Sequence, residues 1–263
     1  MLHIVSFSTG AASAVCLFRV IDRYGLQNTR AVFADVRNED PDNYRFFDDC
    51  QRVAGLTIDR LTDGRTIWDV FLQHATLTTP GRGCRATWAL KQEPLEKYRA
   101  ALNALGPTTL HIGFTLDEDD RISRLRDKLK NQPLDFPCTW PQPLWRCDLM
   151  DFLHERGITP PRLYASGYTH ANCGGACILA GIRQWSGVLQ DNPTLYATNE
   201  EREQAFLALL ASRKREPHTI LRTRTGNASI NYSLKQLRED IESGRRPPDD
   251  SWRETSCRCT LGF

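Results

Sequence analysis

Short apolar runs and helix-period segments alternate along the first hundred residues, with a new strand beginning roughly every 25–30 residues. That is the spacing of β-α units in a parallel sheet covered by helices on both faces. Residues 3–8 read as a strand, then comes a turn of serine, threonine, glycine and alanine, and apolar residues recur at helical spacing over 13–23. A second buried strand is expected at 30–35 and a helix from Pro41, where proline suits a first turn, to residue 54. A third strand follows at 56–61, an amphipathic helix at 89–105, and another strand at 109–114 that ends in the acidic loop 117–120. Residues 148–156 read as a short helix stopped by Gly157, after an irregular proline-rich stretch at 133–143. From residue 180 the pattern changes to helices at 180–189, 200–212 and 234–242, with one strand at 219–223 and a Gly226-Asn227 turn. The expected architecture is α/β: a parallel-sheet domain at 1–179 and a mostly helical C-terminal appendage at 180–263, ending in a cysteine-bearing tail.

Composition narrows the function classes. No window approaches the run of about 18 apolar residues that a membrane span needs, and the opening MLHIVSFSTG lacks the basic and apolar regions of a secretory leader. A cytoplasmic protein without a membrane partner is expected. The net charge of +2 argues neither for nor against a nucleic-acid partner. A local excess of Arg213, Lys214, Arg215, His218, Arg222 and Arg224 is a candidate polyanion contact. Cysteine usage is unusual: nine are present. A reducing compartment disfavours disulfides and an odd number cannot all pair, which turns the expectation to metal ligation or redox chemistry.

Two groups of residues could carry chemistry at once. Ser8-Thr9-Gly10-Ala11-Ala12-Ser13 lies between the first strand and the first helix, where backbone N–H groups and a helix start converge on an anion. The hydroxyls of Ser6, Ser8, Thr9 and Ser13 can add hydrogen bonds. Neither the Walker pattern nor G-x-G-x-x-G is present. Cys173 and Cys177 flank two glycines that let the backbone wrap around a metal centre, while Cys257 and Cys259 supply two more thiols, and Cys84 sits in a glycine-rich loop. Thiolates select zinc or iron–sulfur centres, and this spacing matches neither usual paired zinc pattern. Cys16 and Cys50 fall among apolar helical neighbours and read as core; Cys138 and Cys147 are assigned no role. At strand ends, Asp35, Glu118, Arg121 and Arg124 stand where ligands bind in open α/β sheets. A carboxylate there can hold a ribose or Mg²⁺, and arginines can clamp phosphate or sulfate.

The order of these pieces resembles the phosphoadenosine-phosphosulfate reductase family, a branch of the PP-loop ATP pyrophosphatases with an adenine nucleotide alpha hydrolase-like fold. The likeness includes the 8–13 turn at the PP-loop position, Ala34-Asp35, Pro41-Asp42-Asn43-Tyr44-Arg45-Phe46, and Cys84 with Leu90-Lys91 and Pro94-Leu95. It continues through Gly113-Phe114-Thr115, Glu118 and Arg121. Gly157-Ile158, Pro160-Pro161, Leu163-Tyr164 and His170-Ala171-Asn172-Cys173-Gly174-Gly175, with Cys177, resemble an iron–sulfur branch related to DNA phosphorothioation proteins. The resemblance implies a [4Fe-4S] cluster on Cys84, Cys173, Cys177 and one of Cys257 and Cys259. It also implies ATP or an adenylyl-sulfate nucleotide bound with Mg. Thr9 and Ala12 depart from the Ser-Gly-Gly-x-Asp-Ser of a typical PP-loop, and one cysteine stands near 84 where assimilatory iron–sulfur reductases carry a pair.

Three functions follow as expectations. The leading one is adenylylation of a substrate by ATP with sulfur transfer, in DNA phosphorothioation or tRNA thiolation. Its partners would be DNA or tRNA, held by the 213–224 stretch, and a cysteine desulfurase or other sulfur donor. Asp35, Cys257 and Cys259 are its candidate catalytic residues. The second is reduction of an adenylyl-sulfate to sulfite by a terminal cysteine. The third is a non-catalytic subunit that binds nucleotide and cluster. A homodimer is open to each.

Overall fold

The computed structural model describes residues 1–79, 83–130, 132–225 and 228–247. In chain order the first elements are β1 (Leu2–Phe7), α1 (Ala11–Tyr24), β2 (Thr29–Ala34), α2 (Pro41–Ala54), β3 (Ile58–Leu61) and α3 (Ile67–His74). The two-residue strands β4 (Thr78–Thr79) and β5 (Gly83–Cys84) pair antiparallel, and α4 (Arg85–Thr87) runs through a π turn (Trp88–Gln92) into α5 (Glu93–Asn103). Next come β6 (Thr108–Ile112), α6 (Asp119–Lys128), β7 (Leu134–Asp135), α7 (Asp148–His154) and α8 (Arg162–Ala165). The C-terminal part holds α9 (Ile182–Asp191), α10 (Pro193–Ser212), the hairpin β8 (Leu221–Thr225) and β9 (Ala228–Tyr232), and α11 (Leu234–Glu242).

Five strands form one sheet in the order β3-β2-β1-β6-β7, every neighbouring pair parallel. The α/β expectation therefore holds. Val5, Phe7, Ala31 and Phe33 turn to one face and pack with Val15, Leu17, Phe46 and Phe47 of α1 and α2. Each fully buried side chain of that kind is worth roughly 1.5–3 kcal/mol. Ile4, Val32 and Leu110 turn to the other face, toward Leu95 of α5 and Leu129. The chain leaves β1 for β2 and β3 on one side, then crosses back to β6 and β7 on the other. The order thus reverses between β1 and β6.

Several local expectations are refined by packing. The helix from Pro41 runs from an Asp40 cap, whose side chain accepts the Asp42 N–H, to Gly55 in the left-handed region, φ 61°. The helix expected at 89–105 begins instead as a π turn. Pro94 in the first turn of α5 has no N–H to return to Leu90 and its ring crowds that carbonyl, which widens the preceding turn. One consequence is directional: Lys91 faces the cavity that Cys84 lines, and its neighbour Gln92 faces the cavity beneath the sheet. The acidic loop 117–120 is helical instead: a 3-10 turn at Leu116–Glu118, set by a capping box between Thr115 and Glu118, leads into α6 at Asp119. The expected strand at 219–223 is the first of a hairpin; the Gly226-Asn227 turn lies outside the described residues. The appendage is mostly helical but shares its core with the sheet domain, since Phe206 and Leu210 of α10 pack with Trp68 and Phe71 of α3. Among the described residues no helix is long and apolar enough to cross a membrane.

Candidate active site

A cleft of about 330 Å³ opens at the carboxyl ends of β1 and β6, the point where strand order reverses and where open α/β sheets bind ligands. Its floor is the turn after β1, with Ser6, Ser8, Gly10, Ala12 and Ser13, facing Gly113, Phe114 and Thr115 after β6. These two segments touch closely: a Cβ on Gly113 would lie 2.3 Å from the carbonyl oxygen of Ala12. Only glycine permits that approach. Within the turn, Ser13 Oγ accepts from the Ser8 N–H at 3.0 Å and donates to the Gly10 carbonyl at 2.8 Å, which holds the loop in shape. Gly10 provides no side-chain cap for α1, whose first turn holds no acidic residue. An uncapped helix start of this kind favours an anion. One of its amides, that of Ala11, donates to Tyr164 Oη at 3.1 Å.

Arg121, Arg146 and His170 supply the cleft's polar wall. Arg121 pairs with Glu118 and lies 4.1 Å over the Phe114 ring. Glu118 also accepts from the Thr115 N–H at 3.2 Å. Arg146 is placed through its backbone, whose N–H donates to Asp117 at 2.8 Å. Burial, assisted by Arg146 and Arg121, lowers the His170 pKa to about 4, so its imidazole is neutral at physiological pH. Glu118 is the one carboxylate among the described lining residues, and it is already engaged. The cleft is therefore suited to a phosphate- or sulfate-bearing ligand, held by arginines, hydroxyls and amides.

Not every expected ligand residue reaches this cleft. Ser6, Ser8, Gly10, Ser13, Glu118 and Arg121 line it. Thr9 does not: at φ 57° its side chain turns inward, fully buried, donating to the Ser8 carbonyl at 2.7 Å and accepting from Asn43 at 3.3 Å. Asp35 is also outside the lining. Only 2% exposed, it accepts from Arg60 and Tyr44 at 2.9 Å and from the Arg37 N–H at 2.8 Å, so its oxygens are spent on structure. Arg124 lies one turn beyond Arg121, exposed, bonded to the Asp120 carbonyl at 3.0 Å. Arg146 carried no sequence signal, since nothing local marks an arginine just after a proline-rich stretch. Tyr164 and His170 stood within the resemblance without an assigned role.

A second cavity lies beyond the cleft wall. Cys84, Cys173 and Cys177 line it together with Lys91, Thr87, Val36, Ile67, Ala86 and Ile178. The backbone wraps tightly here: Cys173, Gly174 and Gly175 take φ values of 54°, 61° and 83° in succession. A Cβ on Gly175 would meet the Tyr168 ring at 2.7 Å. The Leu179 N–H donates to Cys177 Sγ at 3.4 Å. Glu39, buried, accepts the Cys173 N–H at 2.7 Å and stands 3.6 Å from Lys91 Nζ. Burial raises the Cys84 thiol pKa, while the Ala86 and Thr87 amides, the Thr87 hydroxyl and Lys91 pull it back toward the thiolate. Cys84 is a free thiol; Cys177 is disulfide-bonded. Cys257 and Cys259 lie outside the described residues. Cys16 and Cys50 are buried as core, and Cys138, also buried, is pushed up to about 12; Cys147 is exposed.

The three sulfurs share one small, largely apolar cavity with a half-buried cation, Lys91. Soft ligands, apolar walls, a main-chain N–H to sulfur and a compensating lysine form a donor set that suits a thiolate-held iron–sulfur centre. Among the described residues no three histidine, cysteine or acidic side chains already stand in metal-holding geometry, so ligation requires side-chain rotation and the reduced form of Cys177. The two sites meet in one stretch of chain: Tyr164, Gly167 and Tyr168 through Asn172 line the cleft, and Cys173 and Cys177 line the thiol cavity. Buried Asn43 ties this stretch to the turn after β1, bonding the Ala171 carbonyl at 2.8 Å and Thr9 at 3.3 Å. No family model and no curated protein matches the chain, so the reading of these two sites rests on their own chemistry.

Proposed function

We propose that the protein is an iron–sulfur enzyme of the PP-loop type that adenylylates a nucleic-acid substrate with ATP and supports sulfur transfer to it. The observation that carries this reading is the continuity of the 164–177 segment, which lines an anion-binding cleft with one half and a thiol cavity with the other. In the cleft, the turn after β1 receives phosphates while Arg121 and Arg146 draw charge off them. An acceptor oxygen attacks the α-phosphorus, pyrophosphate leaves, and sulfide then displaces AMP from the activated position. Most of the rate advantage would come from fixed cations and amides aimed at developing negative charge. Neutral His170 can accept a hydrogen bond from the attacking group without adding a third positive charge. Cys84, Cys173 and Cys177 would hold the cluster with a fourth thiolate from Cys257 or Cys259, and the cluster would supply a sulfur-rich, redox-active neighbour. The 213–224 stretch, in which Arg213, Lys214, Arg215, Arg222 and Arg224 are exposed, is the candidate DNA or tRNA contact; a cysteine desulfurase is the candidate sulfur donor.

A second reading is favoured by one observation. Ala12 occupies the aspartate position of the typical loop, and Asp35 and Glu118 are both engaged, which leaves Mg²⁺ no open carboxylate in the described cleft. A nucleotide that needs no metal, such as an adenylyl-sulfate, suits such a site. A cysteine thiolate would attack its sulfur and expel AMP; a second thiolate would then form a disulfide and release sulfite, the two thiols supplying both electrons. An anaerobic assay of ATP, adenylyl-sulfate and phosphoadenylyl-sulfate side by side tests both readings. Pyrophosphate from ATP supports the first, sulfite from either sulfonucleotide supports the second, and turnover of none removes both.

A further inference from the structure

Between β7 and α7 the chain presents Trp145 and Arg146 in adjacent positions. Arg146 lines the cleft, and Trp145 is 51% exposed, one of the largest apolar side chains on the surface. The pair sits on a pinned segment. The Trp145 N–H donates to Asp148 at 2.7 Å and the Arg146 N–H donates to Asp117 at 2.8 Å, which fixes the backbone to α7 on one side and to the loop after β6 on the other. The indole is therefore exposed on held backbone. In the same cleft as Arg146 stands Arg121 of α6, with exposed Arg124 one helical turn further along. Arg126, a further residue of α6, lies 5.2 Å over the Phe136 ring. An exposed aromatic beside cations that continue into a phosphate-suited cleft is the arrangement used for unpaired nucleotides, bases stacking on the ring while arginines follow the backbone. A duplex offers no free base face to such a ring.

We infer that Trp145 is the stacking platform for an unpaired base of the acceptor strand, with Arg146 and Arg124 taking its flanking phosphates, so that the substrate is a single-stranded or locally opened nucleic acid. The inference rests on the proposed nucleic-acid acceptor and adds to it the strand state and the point of entrance. The basic 213–224 stretch, on the far end of α10, would then contact more distant phosphates and contribute salt dependence without strand preference.

The test is fluorescence anisotropy of the full chain with a single-stranded oligonucleotide and its duplex, alongside ATP affinity. The intact chain should prefer the single strand. Trp145→Ala should weaken the single strand on the order of ten- to a hundredfold, the effect of removing one stacking partner, with ATP affinity within about twofold and duplex binding unchanged. Trp145→Phe should restore most of the loss, which a role in holding the loop through indole shape alone would not do. Trp88→Ala, at another exposed tryptophan, should change nothing. Single-strand binding that is untouched by Trp145→Ala overturns the platform while leaving the nucleic-acid acceptor standing. The same holds if Trp145→Ala instead changes self-association in sedimentation, which makes the ring a contact for a second copy. Absence of any oligonucleotide binding by the intact chain at low salt overturns the acceptor and the platform together.

Discussion

The cleft and the thiol cavity are built from the same stretch of chain and solve opposite problems. The cleft is wide and sets hydroxyls and cations among apolar side chains, and its cations reach it from α6 and from the segment before α7. The thiol cavity is small and mostly apolar, and its one cation, Lys91, is neutralised by buried Glu39. A ligand that must enter and leave needs charge at an open surface, where water can replace it. A centre that must stay needs soft ligands in a place water avoids. Gly174 and Gly175 make the change of environment abrupt, because left-handed turns reverse the chain within a few residues. What the pair teaches is that proximity along the chain does not require a shared environment.

Four measurements decide whether the cleft and the thiol cavity can be altered one without the other. The largest effect is expected from Cys173→Ser, which should abolish the absorption band near ~400 nm of anaerobically purified protein and leave ATP affinity within about twofold. If affinity collapses with the band, the two regions are one site. Gly113→Ala comes next: its methyl group has no room against the Ala12 carbonyl, and the displaced backbone should cost about 3 kcal/mol in urea unfolding. Nucleotide binding should weaken in parallel; an unchanged unfolding midpoint would mean the two segments yield freely. Arg121→Ala should reduce nucleotide affinity roughly ten- to a hundredfold, the range for one charge-assisted bond to phosphate, with the absorption band intact. Equal loss of the band would deny that the cleft can be altered by itself.

The smallest effect is on pH dependence. His170 in the cleft titrates near 4 in the folded chain, because it is buried, against about 6.5 when unfolded. The unfolded chain therefore binds the extra proton between those values, and stability falls as pH drops from 6.5 toward 4. His170→Asn should remove about 1 kcal/mol of the loss seen between pH 7 and 5.5. His111, buried in the sheet and lowered to about 4 by the same cause, contributes a slope of the same sign and serves as the comparison. A His170→Asn slope identical to that of the intact chain would mean the cleft admits water to the ring.

Much of the fold was legible because its signals are local. The helix from Pro41 to Ala54 and that from Leu234 to Glu242 carry their own caps and periodicity, and both appear with the expected bounds. Other elements were hidden for identifiable reasons. Residues 117–120 look like an acidic loop because aspartates also favour a first helical turn, and only the Thr115–Glu118 box makes the distinction. The helix Ile67–His74 spans eight residues, about two turns, too few for its period to stand out in sequence.

The candidate site divides along the same line. From residue types and spacing alone came the small-residue turn at 8–13, the cysteine set, and the expectation that strand ends of a parallel sheet carry the ligand. Those follow from chemistry that each short segment contains within itself. Which of the named residues face the cleft was decided by tertiary structure. Asp35 is claimed by Arg60 across the β2–β3 pairing and by Tyr44 of α2, and Thr9 is turned inward by its own backbone and Asn43. Arg146 and His170 arrive from more than a hundred residues beyond the turn they face. Tertiary structure also brought Cys84 beside Cys173 and Cys177, across almost ninety residues of chain. A carboxylate or an arginine reads the same in sequence whether it meets a ligand or a neighbour, and only packing of distant segments chooses its partner.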